Sequence, residues 1–158
     1  MANVVPREAD FGLNQAAIIE LGKALRGPLL LRSDPGYVEA CSIWNSMVTK
    51  QPALIARVSG PADVVACVNF ARDHDLPLSI RGGGHNIAGA ALCEGGLMID
   101  MSLRRSVRVD TGRQIVRAEA GATWGDVDHE TQPFGLLVPG GIVSNTGIAG
   151  FTVGGGFG

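Results

Sequence analysis

Residues 78–89 read Leu78-Ser79-Ile80-Arg81-Gly82-Gly83-Gly84-His85-Asn86-Ile87-Ala88-Gly89. A short apolar strand runs straight into three glycines and a histidine. Upstream, residues 52–58 (Pro52 to Val58) have the composition of another strand, and Ser59-Gly60-Pro61 opens a helix, with proline tolerated in its first turn. Asp63 then sits near the positive end of the helix dipole. Val64, Val65, Val68 and Ala71 share one apolar face, and the helix is expected to run to about His74. Strand 52–58, helix 61–74 and strand 78–81 make a β-α-β unit, a crossover that joins parallel strands. Ligands in such folds gather at the carboxyl ends of the strands, which is where the glycine run lies.

Working outward, the segment 13–25 carries Ala17, Ile18, Leu21 and Leu25 at roughly helical spacing and is stopped by Gly27-Pro28. Ser33-Asp34-Pro35-Gly36 reads as a turn, with a short helix following to about Trp44. Downstream, 97–101, 107–110 and 114–119 read as strands, the last two joined at Thr111-Gly112 as a hairpin. Thr123 is placed to cap a helix over 124–131, with Asp126 in its first turn. The stretch 133–141 reads as a loop with a short strand at 136–138, and the tail from Ser144 to Gly158 is small and glycine-rich. The expected class is α+β: a small parallel β-α-β part and a mainly antiparallel part. Residues 1–50 form a helical lead-in and 51–158 the working domain.

Composition narrows the function. The chain has 158 residues, 46% of them hydrophobic and 18% charged, with a net charge of −2. That balance suits a packed core and gives no basic field for nucleic acid or an anionic membrane. No apolar stretch is long enough to span a bilayer, and the first 28 residues lack the apolar run of a signal peptide. The three cysteines, Cys41, Cys67 and Cys93, show no CxxC spacing and point to a reducing, cytoplasmic setting. Cysteines and histidines are nowhere paired at zinc spacing, so no metal is expected.

Three of the 23 glycines' clusters carry a chemical reading. In Arg81-Gly82-Gly83-Gly84-His85-Asn86-Ile87-Ala88-Gly89, successive glycines free backbone N–H groups to curl around an anion. In Gly140-Gly141-Ile142-Val143-Ser144-Asn145-Thr146-Gly147, further amides are joined by Ser144, Asn145 and Thr146. In Gly154-Gly155-Gly156, preceded by Gly150, the backbone can lie flat against a ring. Neither GxGxxG nor GxxxxGK[ST] occurs, which removes the Rossmann and Walker fingerprints. Three glycine loops in one domain favour a dinucleotide whose pyrophosphate engages two of them.

In Ser79 to Asn86, the strand at 97–101 and the segment 140–158, the chain resembles the FAD-binding domain of the vanillyl-alcohol oxidase/p-cresol methylhydroxylase superfamily. More closely, it resembles the berberine-bridge-enzyme-like FAD-linked oxidases. Gln51 to Ile55 and, less specifically, Asp34 to Tyr37 and Trp44-Asn45 fit the same pattern. The resemblance implies two subdomains gripping FAD, and a covalent bond from His85 to the 8α-methyl carbon of the flavin. It implies cofactor contacts at Arg81, Gly82, Gly83, Gly84, His85, Asn86, Gly89, Gly140, Gly141, Ser144, Asn145, Thr146, Gly147, Gly150 and Gly154. Members with two links carry a cysteine where this chain has Val143, so a single link is implied. The chain stops at Gly158, in the middle of the expected domain. The substrate domain and its acid–base groups are expected outside it, and the 158 residues alone are expected to bind FAD weakly and turn over nothing.

The implied activity is transfer of a hydride from a small organic substrate to flavin. A truncated FAD-binding module without turnover is the alternative, and a noncovalent reductase using a nicotinamide donor is a third reading. Other residues have plainer expected roles. Trp44 and Trp124 pack, His74 ends a helix, Arg104-Arg105 lies on a solvated strand edge, and Cys93 is a buried thiol. Asp128-His129-Glu130 is not expected to form a dyad, since adjacent helix residues point apart.

Overall fold

The computed structural model describes residues 13–157. Residues 1–12 of the expected lead-in, and Gly158 at the end of the glycine-rich tail, lie outside the described residues. The expected elements form with small shifts of boundary. Helix α1 spans Gln15–Ala24, capped by the Asn14 side chain, which accepts from the Ala16 N–H. A two-residue strand, β1 (Leu29–Leu30), follows, then α2 (Tyr37–Cys41), β2 (Leu54–Arg57), α3 (Pro61–Asp73) and β3 (Leu78–Arg81). After the histidine loop come β4 (Leu97–Asp100), the hairpin β5 (Val107–Asp110) and β6 (Ile115–Ala118), α4 (Trp124–Thr131) with a 3-10 turn at Gln132–Phe134, and α5 (Ile148–Gly154).

One sheet runs β1-β2-β4-β3, and β5-β6 forms a separate antiparallel pair. β2 and β3 are parallel, as the crossover requires, but each pairs with β4 rather than with the other. All four residues of β4 are buried, so its unbroken Leu-Met-Ile run belongs at the centre of a sheet covered on both faces. Pleating divides the core. Leu54, Ala56, Leu97 and Ile99 face Leu21, Cys67 and Ala71, while Ile55 and Met98 face Tyr37, Ala40 and Leu92.

Three expectations are corrected. The helix after Gly36 ends at Cys41, well before Trp44. Residues 136–138 form no strand: the 3-10 turn delivers the chain into a segment with no strand beside it to pair with. The third glycine cluster is not all loop, because Gly154 is the last residue of the helix Ile148–Gly154.

Asp63 does more than face the helix dipole. Its buried carboxylate accepts the N–H groups of Ser59 at 2.7 Å, Arg26 at 3.1 Å and Gly27 at 3.3 Å, tying the chain after α1 to the start of α3. Burial pushes its pKa up, but these N–H groups and the Arg26 charge outweigh that and hold it below the usual carboxylate value. A depressed pKa means stability that is present above the unfolded value of about 3.9 and lost as pH falls through the folded pKa. Asp63→Ala is expected to cost about 3 kcal/mol and to flatten the acid limb of the stability curve below about pH 4. Urea melts at pH 7 and pH 3 check both. An unchanged acid limb in the variant would refute the assignment.

Candidate functional site

The three parallel strands end in a row of charge. Arg57, Asp100 and Arg81 are register partners at the carboxyl ends of β2, β4 and β3. Asp100 is fully buried, with Arg57 Nε at 3.2 Å and Arg81 Nη1 at 3.6 Å from its Oδ2. Its Oδ1 accepts the Ser102 N–H at 3.0 Å. One carboxylate between two guanidiniums leaves a net positive charge under the glycine loop. Arg81 also donates from Nη2 to the Ser42 carbonyl at 3.2 Å, so it braces the loop against the segment after α2.

A cleft of about 420 Å³ opens beside this row. Its walls are Arg81, Gly82, Gly83, Ser102, Arg105, Gly121, Thr123, Gly125, Asp126, Ser144 and Asn145. The first two glycine loops therefore meet in one place, and their junction is tight. A Cβ on Gly83 would lie 2.3 Å from the Gly147 nitrogen, and one on Gly147 would lie 2.3 Å from the Gly83 nitrogen. Only two glycines allow that approach. The second loop is sewn to the start of α4 by Trp124 N–H to the Thr146 carbonyl at 3.0 Å and Gly125 N–H to the Ser144 carbonyl at 2.8 Å.

α4 begins in a capping box. The Thr123 hydroxyl accepts from the Asp126 N–H, and the Asp126 carboxylate accepts from the Thr123 N–H at 2.8 Å. Asp126 also receives a two-pronged bond from Arg105, Nη2 at 2.7 Å and Nε at 2.9 Å. The Arg105 guanidinium, with the Thr123 groups, holds the Asp126 carboxyl below the usual range despite its partial burial. The one carboxylate on the cleft wall is thus already neutralised.

This corrects the reading of Arg104-Arg105 as a solvated pair. Arg105 sits on the cleft, and Arg104 donates to the Ser59 carbonyl and pairs with Glu119. The 128–130 reading also changes. His129 Nδ1 lies 3.0 Å from Glu130 Oε1, because two exposed side chains can swing together at the surface even from adjacent positions.

His85 follows the cleft glycines by two residues. Thr146 Oγ1 lies 3.4 Å from its Nδ1, and the Trp44 indole stacks on the ring at 5.9 Å between centroids and 26° between planes. The segment 42–50 is knitted to the histidine loop. Trp44 N–H donates to the Gly84 carbonyl at 3.0 Å, Asn45 Nδ2 to the Ile87 carbonyl at 2.8 Å, and Gly89 packs on Val48.

The other expected site residues sit off the cleft wall. Asn86 caps its own loop, accepting the Ala90 N–H at 2.9 Å. Gly140 and Gly141 are pressed on the Trp124 ring, where added Cβ atoms would come within 2.1 and 2.7 Å of it. Trp124 is the packing residue expected, meeting Phe151 edge-on. Gly150 and Gly154 lie on α5 with nothing within 4 Å of an added Cβ. Sequence reasoning does not mark Ser102, Arg105, Gly121, Thr123, Gly125 and Asp126 as cleft residues; the Thr123 cap signal is in the sequence, but nothing local marks its nearness to the glycine loops.

The residues fit a dinucleotide. Among the described residues, no backbone N–H of Gly82, Gly83, Gly84 or His85 donates within the protein. The Arg81 Nε is buried without a hydrogen-bond partner. Backbone donors, a bare glycine cradle and excess positive charge at strand ends are what a diphosphate takes.

A family described as FAD binding domain matches residues 52–158. The chain belongs to this FAD-binding family. An FAD-linked oxidoreductase of Dictyostelium discoideum is 40% identical over 115 residues, covering 73% of this chain and 25% of that protein. The crystal structure of 6-hydroxy-D-nicotine oxidase from Arthrobacter nicotinovorans superposes with a TM-score of 0.78 at 33% identity, covering 80% of this chain and 28% of that one. A BBE-like protein of Physcomitrella patens shares the fold at a TM-score of 0.79 and 22% identity, over 85% of this chain and 30% of that one. This FAD-binding chain thus spans under a third of the length of these relatives. No helix among the described residues is long and apolar enough to cross a membrane.

Proposed function

We propose that this chain holds the flavin of an FAD-dependent oxidoreductase that takes a hydride from a small organic substrate, and that the flavin is bonded covalently to His85. The observation that carries the reading is the presentation of His85 immediately beyond Gly82–Gly84, its ring fixed by Trp44 and Thr146 beside a cleft suited to a diphosphate. Bound FAD would supply the redox chemistry. The chain's part is to hold it: amides of Gly82 and Gly83 with Ser144 and Asn145 at the phosphates, and the imidazole of His85 as the anchor. The relationship to 6-hydroxy-D-nicotine oxidase supports a small organic substrate. Three unpaired cysteines support a reducing, cytoplasmic setting. The unit that holds flavin extends back to Ser42, since 42–50 braces the histidine loop.

Acid denaturation tests the central claim. Yellow colour should stay with the polypeptide, and proteolytic mapping should return one flavinylated peptide containing His85. Intact yellow protein of unmodified mass would refute it. Arg105 gives a milder test. Arg105→Ala exposes the Asp126 charge on the cleft wall and is expected to weaken FAD binding about tenfold while changing stability by under about 1 kcal/mol. Flavin titration in a His85→Ala background measures this. Unchanged affinity would place the phosphates elsewhere.

A further inference from the structure

We propose that Trp44 is a positioning residue for His85, acting on the bond-forming imidazole through its indole face. The inference rests on the reading of His85 as the flavin anchor. Trp44 precedes the segment matched by the family, residues 52–158, and reaches His85 only through the fold. Its backbone is locked to the loop that carries the histidine, by Trp44 N–H to the Gly84 carbonyl and by Arg81 holding the adjoining Ser42 carbonyl. The residue is 63% exposed, yet its indole stacks on the imidazole. A large apolar ring left this open contributes little to the core, and its stacking on the imidazole is a contact that the fold holds from both backbones.

Two contacts fix the imidazole. The indole sets the plane of the ring, and Thr146 Oγ1 near Nδ1 sets its rotation within that plane. In the linking reaction His85 gains one bond to the 8α-carbon of the flavin. The imidazole N–H and one C–H of that carbon are lost, and two electrons with two protons leave to dioxygen as hydrogen peroxide. A ring nitrogen that bonds through its lone pair leaves the imidazole cationic until its other proton departs. An indole face within about 6 Å of a cation attracts it through the ring quadrupole. Trp44 therefore lowers the cost of that charge as well as orienting the ring.

The test follows flavin incorporation into apoprotein mixed with FAD in air, read as acid-precipitable flavin and as the mass of the His85 peptide. Trp44→Ala is expected to slow incorporation about tenfold. Trp44→Phe should retain most of the rate. Trp44→Leu, which fills the space without a π face, should be slow like alanine. In a His85→Ala background, adding Trp44→Ala should leave noncovalent FAD affinity within about twofold. Circular dichroism should show all variants folded, as expected for an exposed side chain. A wild-type rate in Trp44→Ala or Trp44→Leu overturns the inference. So does a loss of affinity equal to the loss of rate, which would make Trp44 a flavin contact instead. Acid-stable flavin in His85→Ala alone would overturn the anchor reading itself, a result separable from the others.

Discussion

His85→Ala should leave no flavin on the polypeptide after acid precipitation, a complete loss rather than a reduction. The expectation follows from what else could form the bond. A second link would need a thiol near the loops, and position 143 is valine, half-exposed and chemically inert. Cys67 is buried in the core between α3 and the sheet, where burial pushes its thiol up to about 11, far from the thiolate that reacts. Cys41 is likewise raised by burial. Cys93 is only 9% exposed. His74 and His129 lie at the C-terminal ends of α3 and α4, and neither is on the cleft wall. The variant should still bind FAD noncovalently, because the cleft wall does not include the imidazole. Absorbance of the pellet and of the supernatant separates the two forms. Covalent flavin persisting in His85→Ala would move the anchor to a cysteine.

The histidine loop is legible because its signal is contiguous: an apolar strand, three glycines and an imidazole in the eight residues from Leu78 to His85. The α3 and α4 starts were legible for the same reason, since a cap is a local affair of Pro61 and Asp63, or of Thr123 and Asp126. The central place of β4 was not. Strand order is settled by contacts across tens of residues, and the only local hint was that Leu97, Met98 and Ile99 do not alternate with polar residues. Trp44 reads as packing in the sequence because its partner lies 41 positions away and Trp44-Asn45 has no periodicity to place it. α5 was hidden because Gly150 and Gly154 lower helix propensity in a seven-residue stretch. Arg105 reads as surface in the sequence because its partner, Asp126, has an evident local role in the helix cap. In each case the missing information was the identity of a distant neighbour.

That distinction decides the outcome for the glycines. The sequence alone suggests that Gly83→Val harms FAD binding more than folding, and that Gly82 and Gly84 behave alike. The contact with Gly147 changes the expectation for Gly83. A Cβ there would stand 2.3 Å from the Gly147 nitrogen and 2.5 Å from its Cα, both backbone atoms held by the pairing of Thr123 with Gly147 and by the Ile148 N–H bond to the Ala122 carbonyl. Neither loop can step aside without unpicking the start of α4. Gly83→Val is therefore expected to lose FAD binding and to destabilise the protein by about 3 kcal/mol, lowering the midpoint of thermal unfolding by about 10 °C. Gly84→Val should be strained for a different reason, its φ of +71°. Gly150→Ala is the control. It has no atom within 4 Å of the added carbon and lies in α5, so alanine should be neutral or should stabilise by up to about 1 kcal/mol. The decisive comparison is between melting of the flavin-free forms and FAD titration of the same samples. Wild-type melting of Gly83→Val with binding lost would show that Gly83 serves only the ligand. Loss of both, beside an intact Gly150→Ala, would show that the two glycine loops must close on each other before the flavin has a site to occupy.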